Sequence, residues 1–431
     1  MEKNNPIKTI GKMLGMVLGA SVIGLFLMWL VYMLPVEPMV KNMIGSYETI
    51  RKQDTWDDDY LATLEWAEIL DTGTNIIMYH EVIYPNTEHA FVDSLLAPGG
   101  NTWNDMIGDW TAGLMDFAEN REYTEKNTVT YARYWHGYLV LLKPLFSFMT
   151  LEGIYVINTI VLAGLCLAVL YFMYKRLGLY SLAYLVALFT MHPENIVVSF
   201  QLSSIFYALN ITLLLLLVKK TWTKEQILYI FVLDGILVAF FDFLTYPYMA
   251  VAIPLLIYYL LHKTNDVKQD FVTMFLQGMA YIFGYAGMWA MKWIYATIFT
   301  KENVIADAIN SVLHRTGVTD SNADVMSSGV GESLYRNLYT FFDDGNSIVL
   351  VLAIIAAGVA IWSNRKSLKM KSQMAVFCGL MMVSPFIWLI VLSNHCSLHP
   401  HLEWRTLCIV VFAFAVFVIS MLPKAKQLEE K

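Results

Sequence analysis

Long apolar runs alternate along this chain with short clusters of charged and polar residues, and the runs have the length of membrane crossings. About 20 helical residues cross a hydrocarbon layer roughly 30 Å thick. On that template the pattern predicts about ten spans, over residues 10–34, 151–174, 177–191, 196–218, 227–246, 247–261, 271–299, 347–362, 374–392 and 406–422. The spans at 177–191 and 247–261 are shorter than a full crossing, which is tolerated where a helix borders protein or a water-filled cavity.

The polar clusters set the sidedness. Lys3, Lys8 and Lys12 precede the first span, Lys175 and Arg176 follow the second, and Lys219, Lys220 and Lys224 follow the fourth. Lys263 and Lys268 follow the sixth, Arg365, Lys366, Lys369 and Lys371 the eighth, and Lys424, Lys426 and Lys431 close the chain. Basic residues concentrate on the cytoplasmic side of membrane proteins, so both termini are expected there, in an all-α polytopic protein of the cell membrane. The first span lacks a small-residue cleavage site and reads as an uncleaved anchor. The expected organisation is a cytoplasmic N-terminus and first span over 1–34, then a long extracytoplasmic loop with interfacial amphipathic helices over 35–148. A transmembrane bundle over 149–422 follows, with a second outer loop at 301–346, and then a cytoplasmic tail over 423–431.

Composition narrows the function classes. At 431 residues, 57% hydrophobic and with a mean hydropathy of +0.51, the chain is too apolar for a soluble domain, and it has no basic stripe for nucleic acid. The net charge of -7 is local in origin, because residues 35–133 hold 18 of the 36 acidic residues and only 6 of the 29 basic ones. Cys166, Cys378 and Cys408 sit inside apolar runs, so no disulfide framework is implied. No internal repeat is visible, and a carrier built on two related halves would carry one.

Candidate chemistry gathers at the outer ends of the spans. Asp57, Asp58 and Asp59 lead into a stripe of apolar positions at 60, 61, 64 and 67, the pattern of an amphipathic surface helix. The aspartates either complement that helix's N-terminus or supply a general base. Glu37, held just past the first span, competes for the second role. Tyr131, Tyr134 and Tyr138 share one helical face and Arg133 and His136 another, which predicts an interfacial helix. It is either a simple aromatic anchor or one that turns Arg133 or His136 toward a phosphate. Asp242, near the outer end of the fifth span, is an intramembrane acid that faces a cavity or holds a structural hydrogen bond. Lys292 is expected near the outer interface, snorkelling to headgroups or binding an anionic one.

The last outer connection, 394–405, holds His395, His399 and His401 together with Arg405. Such a cluster suits zinc, helix capping or an anion site. Pro400 interrupts the helix that would align His395 with His399, and the spacing matches no strong metal motif, so the cluster reads best as a phosphate site, with no metal required.

The acidic entry at Asp57 to Asp59, the Phe241 to Pro247 segment and the His395 to Arg405 loop, set in this topology, resemble the GT-C superfamily of polytopic glycosyltransferases, specifically bacterial members that use polyprenyl-phosphate sugars. The resemblance implies sugar transfer on the outer face from a polyprenyl-phosphate donor to a surface glycan or lipid-linked acceptor. One of Asp57, Asp58, Asp59, Glu37 or Asp242 would be the base, and Arg133, His136, Lys292, His395, His399, His401 and Arg405 the phosphate-binding set. The alternatives are a flippase of lipid-linked glycan and a membrane acyl- or phosphoglycerol-transferase.

Overall fold

The computed structural model describes residues 6–53, 72–100, 110–120, 128–317, 329–342, 344–368 and 372–423. The aspartates at 57, 58 and 59 lie outside the described residues. The first apolar run forms α1 (Pro6–Tyr32). The segment after it folds into α2 (Glu37–Ile44), α3 (Tyr47–Arg51), α4 (Thr72–Ile83), α5 (Ala90–Leu96), α6 (Trp110–Asn120) and α7 (Leu139–Phe148). A short antiparallel ribbon, β1 (Pro98–Gly100) against β2 (Thr128–Thr130), pairs Gly99 with Val129.

The rest is bundle. In chain order it comprises α8 (Leu151–Leu177), α9 (Ser181–Phe189), α10 (Pro193–Val197), α11 (Phe200–Val218), α12 (Lys224–Phe241), α13 (Tyr248–His262), α14 (Val267–Thr300), α15 (Val304–Arg315), α16 (Val330–Phe341), α17 (Asp344–Asn364), α18 (Ser372–Val391), α19 (Ser393–Leu398), α20 (Pro400–Glu403) and α21 (Cys408–Met421). Among the described residues seven stretches are long and apolar enough to cross a membrane: Pro6–Tyr32, Leu151–Phe189, Phe200–Val218, Val267–Thr300, Asn346–Asn364, Ser372–Val391 and Pro400–Met421. The chain is an all-α, multi-pass membrane protein.

The pair α12 and α14 forms its axis. A Cβ on Gly235 would lie 2.1 Å from the Tyr281 carbonyl oxygen, and one on Gly284 would lie 2.1 Å from that of Val232. Only hydrogen at both positions lets the two backbones meet, which is how small residues bring membrane helices together where no hydrophobic effect drives them. At 34 residues α14 is about 51 Å long, longer than a bilayer core is thick, so its last turns rise into the segment that follows α1.

That segment caps one end of the bundle. Trp135 Nε1 donates to the Met288 carbonyl at 2.7 Å, the Gly137 amide to Phe240 at 2.9 Å, and Lys292 Nζ to Leu95 at 2.7 Å. At the opposite end Lys12 meets Glu225 at 3.2 Å.

Two predicted elements differ. Residues 131–138 form turns rather than a helix, because His136 is left-handed at φ 55° and Gly137 abuts Phe240, where a Cβ would lie 2.4 Å from the carbonyl oxygen. The span expected over 227–246 stops at Phe241. Beyond it the Asp242 carboxylate accepts from the amides of Leu244 at 2.7 Å and Thr245 at 3.2 Å and from the Thr245 hydroxyl at 2.5 Å, tying a tight turn with Leu244 at φ 70°.

Candidate active site

The capping turns build the site. Because residues 131–138 are not helical, His136 points inward, and its Nδ1 lies 3.1 Å from Glu81 on α4 and 2.7 Å from the Tyr138 hydroxyl, which itself donates to Glu81 Oε2. His136 Nε2 faces the Tyr131 carbonyl at 2.6 Å, and a carbonyl only accepts, so this nitrogen carries a hydrogen. Glu81 is buried, its Oε2 accepts from Tyr138, and both carboxylate oxygens lie 3.1 Å from His136 Nδ1. Beside it opens a cavity of about 280 Å³ lined by Glu81, Tyr131, Arg133, Thr130, Gly99 and Gly100. Arg133 is fixed on its other side by Asp307 at 2.8 Å, and its Nε is left without a partner. One cavity therefore presents an oriented carboxylate and a guanidinium. Next to Glu81 in sequence, His80 packs edge-on against Phe117, and burial pulls its imidazole down to about 3, so it is neutral.

A run of aromatic rings leads from this cavity into the bundle. Tyr131 and Tyr134 are 5.2 Å apart between ring centres, and Tyr134 meets Trp289 at 5.6 Å. On α14, Trp289 stacks toward Tyr285 at 4.9 Å and Tyr285 toward Tyr281 at 5.8 Å, the repeat of four residues that places side chains one above another on a helix. At the far end of the run is an apolar groove of about 560 Å³ between α13, α14 and α18. Its walls include Leu255, Phe275, Met279 and Leu380, and its head is formed by Tyr285 and Trp388. Along α14 it runs from Phe271 to Tyr285, about 21 Å.

A second polar cluster sits at the groove head. Trp388 Nε1 donates to Glu403 Oε2 at 2.8 Å, and Glu403 Oε1 lies 3.3 Å from His395 Nε2. That nitrogen also donates to the Leu244 carbonyl at 2.8 Å, in the turn that Asp242 ties. Burial pulls His395 down to about 3, with Arg315 adding to the effect, so the ring is a neutral donor. Arg315, the last residue of α15, stacks over Tyr134 at 5.5 Å. The Tyr285 hydroxyl and Trp289 Nε1 are buried and make no hydrogen bond, so two donors at the groove head stand open.

The remaining sequence candidates fall elsewhere. Glu37 opens α2 on an exposed face. Asp242 spends its carboxylate on its own turn. Lys292 does not snorkel: it is fully buried on the Leu95 carbonyl and over the Trp135 ring at 5.8 Å. Arg405 is likewise buried, its Nε on the Met191 carbonyl at 3.2 Å and its Nη1 on that of His401 at 2.7 Å. Neither cation lines the two cavities above. The rings of His395 and His399 are 4.8 Å apart and those of His399 and His401 5.9 Å, and no group of three metal-binding side chains occurs among the described residues.

Glu81, Arg315, Glu403 and Trp388 were not singled out from the sequence. The Tyr281, Tyr285, Trp289, Trp293 repeat was visible there as aromatic residues four apart. No protein-family model, curated protein or solved structure matches the chain.

Proposed function

We propose that this protein is a GT-C-like glycosyltransferase that moves a sugar from a polyprenyl-phosphate donor to a cell-surface glycan or glycolipid of a bacterial envelope. The observation that carries the reading is the aromatic run. It joins an apolar groove in the bundle to a cavity lined by both the Glu81 carboxylate and the Arg133 guanidinium. In this reading the isoprenoid lies in the groove, with its phosphate toward Arg315, the Tyr285 hydroxyl and Trp289 Nε1. The acceptor enters beside Glu81. Its hydroxyl oxygen bonds to the anomeric carbon, the bond from that carbon to the phosphate oxygen breaks, Glu81 takes the proton, and lipid phosphate leaves. Tyr131 and Tyr134 stand between the two halves and turn aside for the sugar. Fixed donors facing the departing phosphate stabilise charge as it develops, more strongly where water is excluded.

The same reading divides the Leu151–Phe189 stretch into separate crossings by α8 and α9 and adds α12 and α13 as shorter ones, for ten in all. It places the capped end outside the cell, both termini in the cytoplasm, and asks for no metal. The experiment is a transfer assay with purified protein and a labelled polyprenyl-phosphate sugar. A new sugar linkage and free lipid phosphate are expected. Movement of the lipid-linked sugar across liposomes with no linkage formed would replace this reading with a flippase.

A further inference from the structure

The end of the bundle opposite the cap carries a crevice that the proposed reaction does not use. Away from the close contact at Gly235 and Gly284, the first turns of α12 and α14 and Tyr258 near the end of α13 together line a wedge-shaped space. The resulting cavity is about 440 Å³. Its lining is layered along the bundle. Lys224, the first residue of α12, and Lys268, in the first turn of α14, stand at the mouth. Gln269 and Thr273 come next, and Leu228, Val272 and Leu276 form the inner walls. Val272 and Leu276 are about half exposed, at 46% and 50%, so the wedge is open along its flank to whatever surrounds the helices. At its floor Gln277 is 2% exposed, and its Oε1 has no hydrogen-bond partner.

We infer that this crevice binds an anionic phospholipid, with the phosphate between Lys224 and Lys268 and one acyl chain against Leu228, Val272 and Leu276. From Lys268 to Leu276 the helix rises about 12 Å, which takes the lining from headgroup level into the hydrocarbon. Cations at the mouth, polar side chains beneath and apolar walls on the open flank match the order of groups in a phospholipid, while Gln277 lies behind those walls at the floor. Basic pockets between membrane helices select anionic headgroups in the same way. Asp266, the acid at this mouth, is turned back on its own helix, accepting from the amides of Lys268 at 2.9 Å and Gln269 at 3.2 Å. Its charge is therefore spent on the helix end. Asp270, one turn on, is held by Thr264 at 2.9 Å and Gln373 at 2.6 Å.

The test uses the full-length protein, delipidated in detergent, with thermal unfolding followed as lipid is added. Dioleoylphosphatidylglycerol is expected to raise Tm, while dioleoylphosphatidylcholine and inorganic phosphate leave it unchanged. The double variant Lys224→Gln/Lys268→Gln is expected to keep the lipid-free Tm and to need roughly tenfold or more phosphatidylglycerol for the same shift, since each lysine near an anionic headgroup contributes on the order of 1 kcal/mol. A matched pair, Lys219→Gln/Lys220→Gln, is expected to respond as the unaltered protein does. An equal shift with phosphatidylcholine, a full shift with phosphate alone, or an equal loss in the matched pair would each overturn the assignment.

Discussion

His136 Nδ1 stands 3.1 Å from the Glu81 carboxylate, and the contact exists only because His136 takes a left-handed backbone conformation. The imidazole Nδ1 lies equally close to both carboxylate oxygens, and the Tyr138 hydroxyl donates to Oε2, which fixes the carboxylate at the cavity wall. If Glu81 is the base, Glu81→Gln keeps the shape and the contacts but removes the proton acceptor. Transfer is expected to fall by about 10² to 10⁴-fold, with Tm little changed. Initial rates and unfolding curves on the same preparation check this, and an unchanged rate would remove Glu81 from the mechanism.

Arg405 and Lys292 give the opposite kind of prediction. Each ends on backbone carbonyls inside the protein, Arg405 on Met191 and His401 and Lys292 on Leu95. Losing a partner leaves a buried carbonyl unpaired, at a cost of about 1 to 3 kcal/mol per group. Arg405→Ala and Lys292→Met are therefore expected to lower Tm by several degrees while the rate per folded molecule holds. Arg405→Lys should recover part of the loss at most, because an ammonium cannot span two carbonyls as a guanidinium fork does. A normal Tm with lost transfer would return either residue to the donor site.

The difference between these cases marks how far the sequence could be read. Apolar length gave the membrane class, since a helix in lipid must satisfy its own backbone and leaves that need written in its composition. Charge density at the ends of the apolar runs points to Arg133, His136 and His395, and the structure brings these into the two polar clusters. What failed was direction. Charge alone turns Lys292 and Arg405 toward lipid or ligand, because their partners are carbonyls, which every residue has and no pattern reveals. Asp242 takes the structural one of its two alternatives, its partners being the amides of the next turn, which no pattern reveals either. Glu81 is inconspicuous within the apolar run around it, and only the turn at His136 and Gly137 gives it an orientation.

Lys143 links this site to pH. It lies on α7 over the Tyr32 ring, with Nζ on the Val82 carbonyl at 2.9 Å, and burial pulls it down to about 7 against the opposing pull of Glu81 and Asp93. The unfolded lysine titrates near 10.5. Between those values the unfolded chain holds more protons than the folded one, so stability rises with pH across that window. Below 7 both states carry the proton and the penalty is present in full. Tm measured from pH 7 to 9.5 is expected to climb, and Lys143→Met to flatten the climb. A Tm that falls over this range in the unaltered protein, with the fall lost in Lys143→Met, would contradict the burial of a lysine that prefers to be neutral.

The groove can be tested without touching any polar group. Gly278 lines it on α14, and a Cβ there would meet nothing nearer than Leu255 Cδ1, at 4.0 Å. The position is open toward the groove, so Gly278→Leu fills the space rather than forcing the helices apart. Replacing glycine within a helix also favours the helical form by about 1 kcal/mol, which argues against loss through misfolding. If the isoprenoid lies here, Gly278→Leu should raise KM for a long-chain polyprenyl-phosphate sugar by tenfold or more. It should leave a donor with a short, soluble chain nearly unaffected, because that donor makes its contacts at Arg315, Tyr285 and Trp289 above the block. Equal loss with both donors would mean that the leucine disturbs the groove head itself. No loss with either would mean that the lipid runs elsewhere, and the apolar surface between α13, α14 and α18 would then be ordinary bilayer contact.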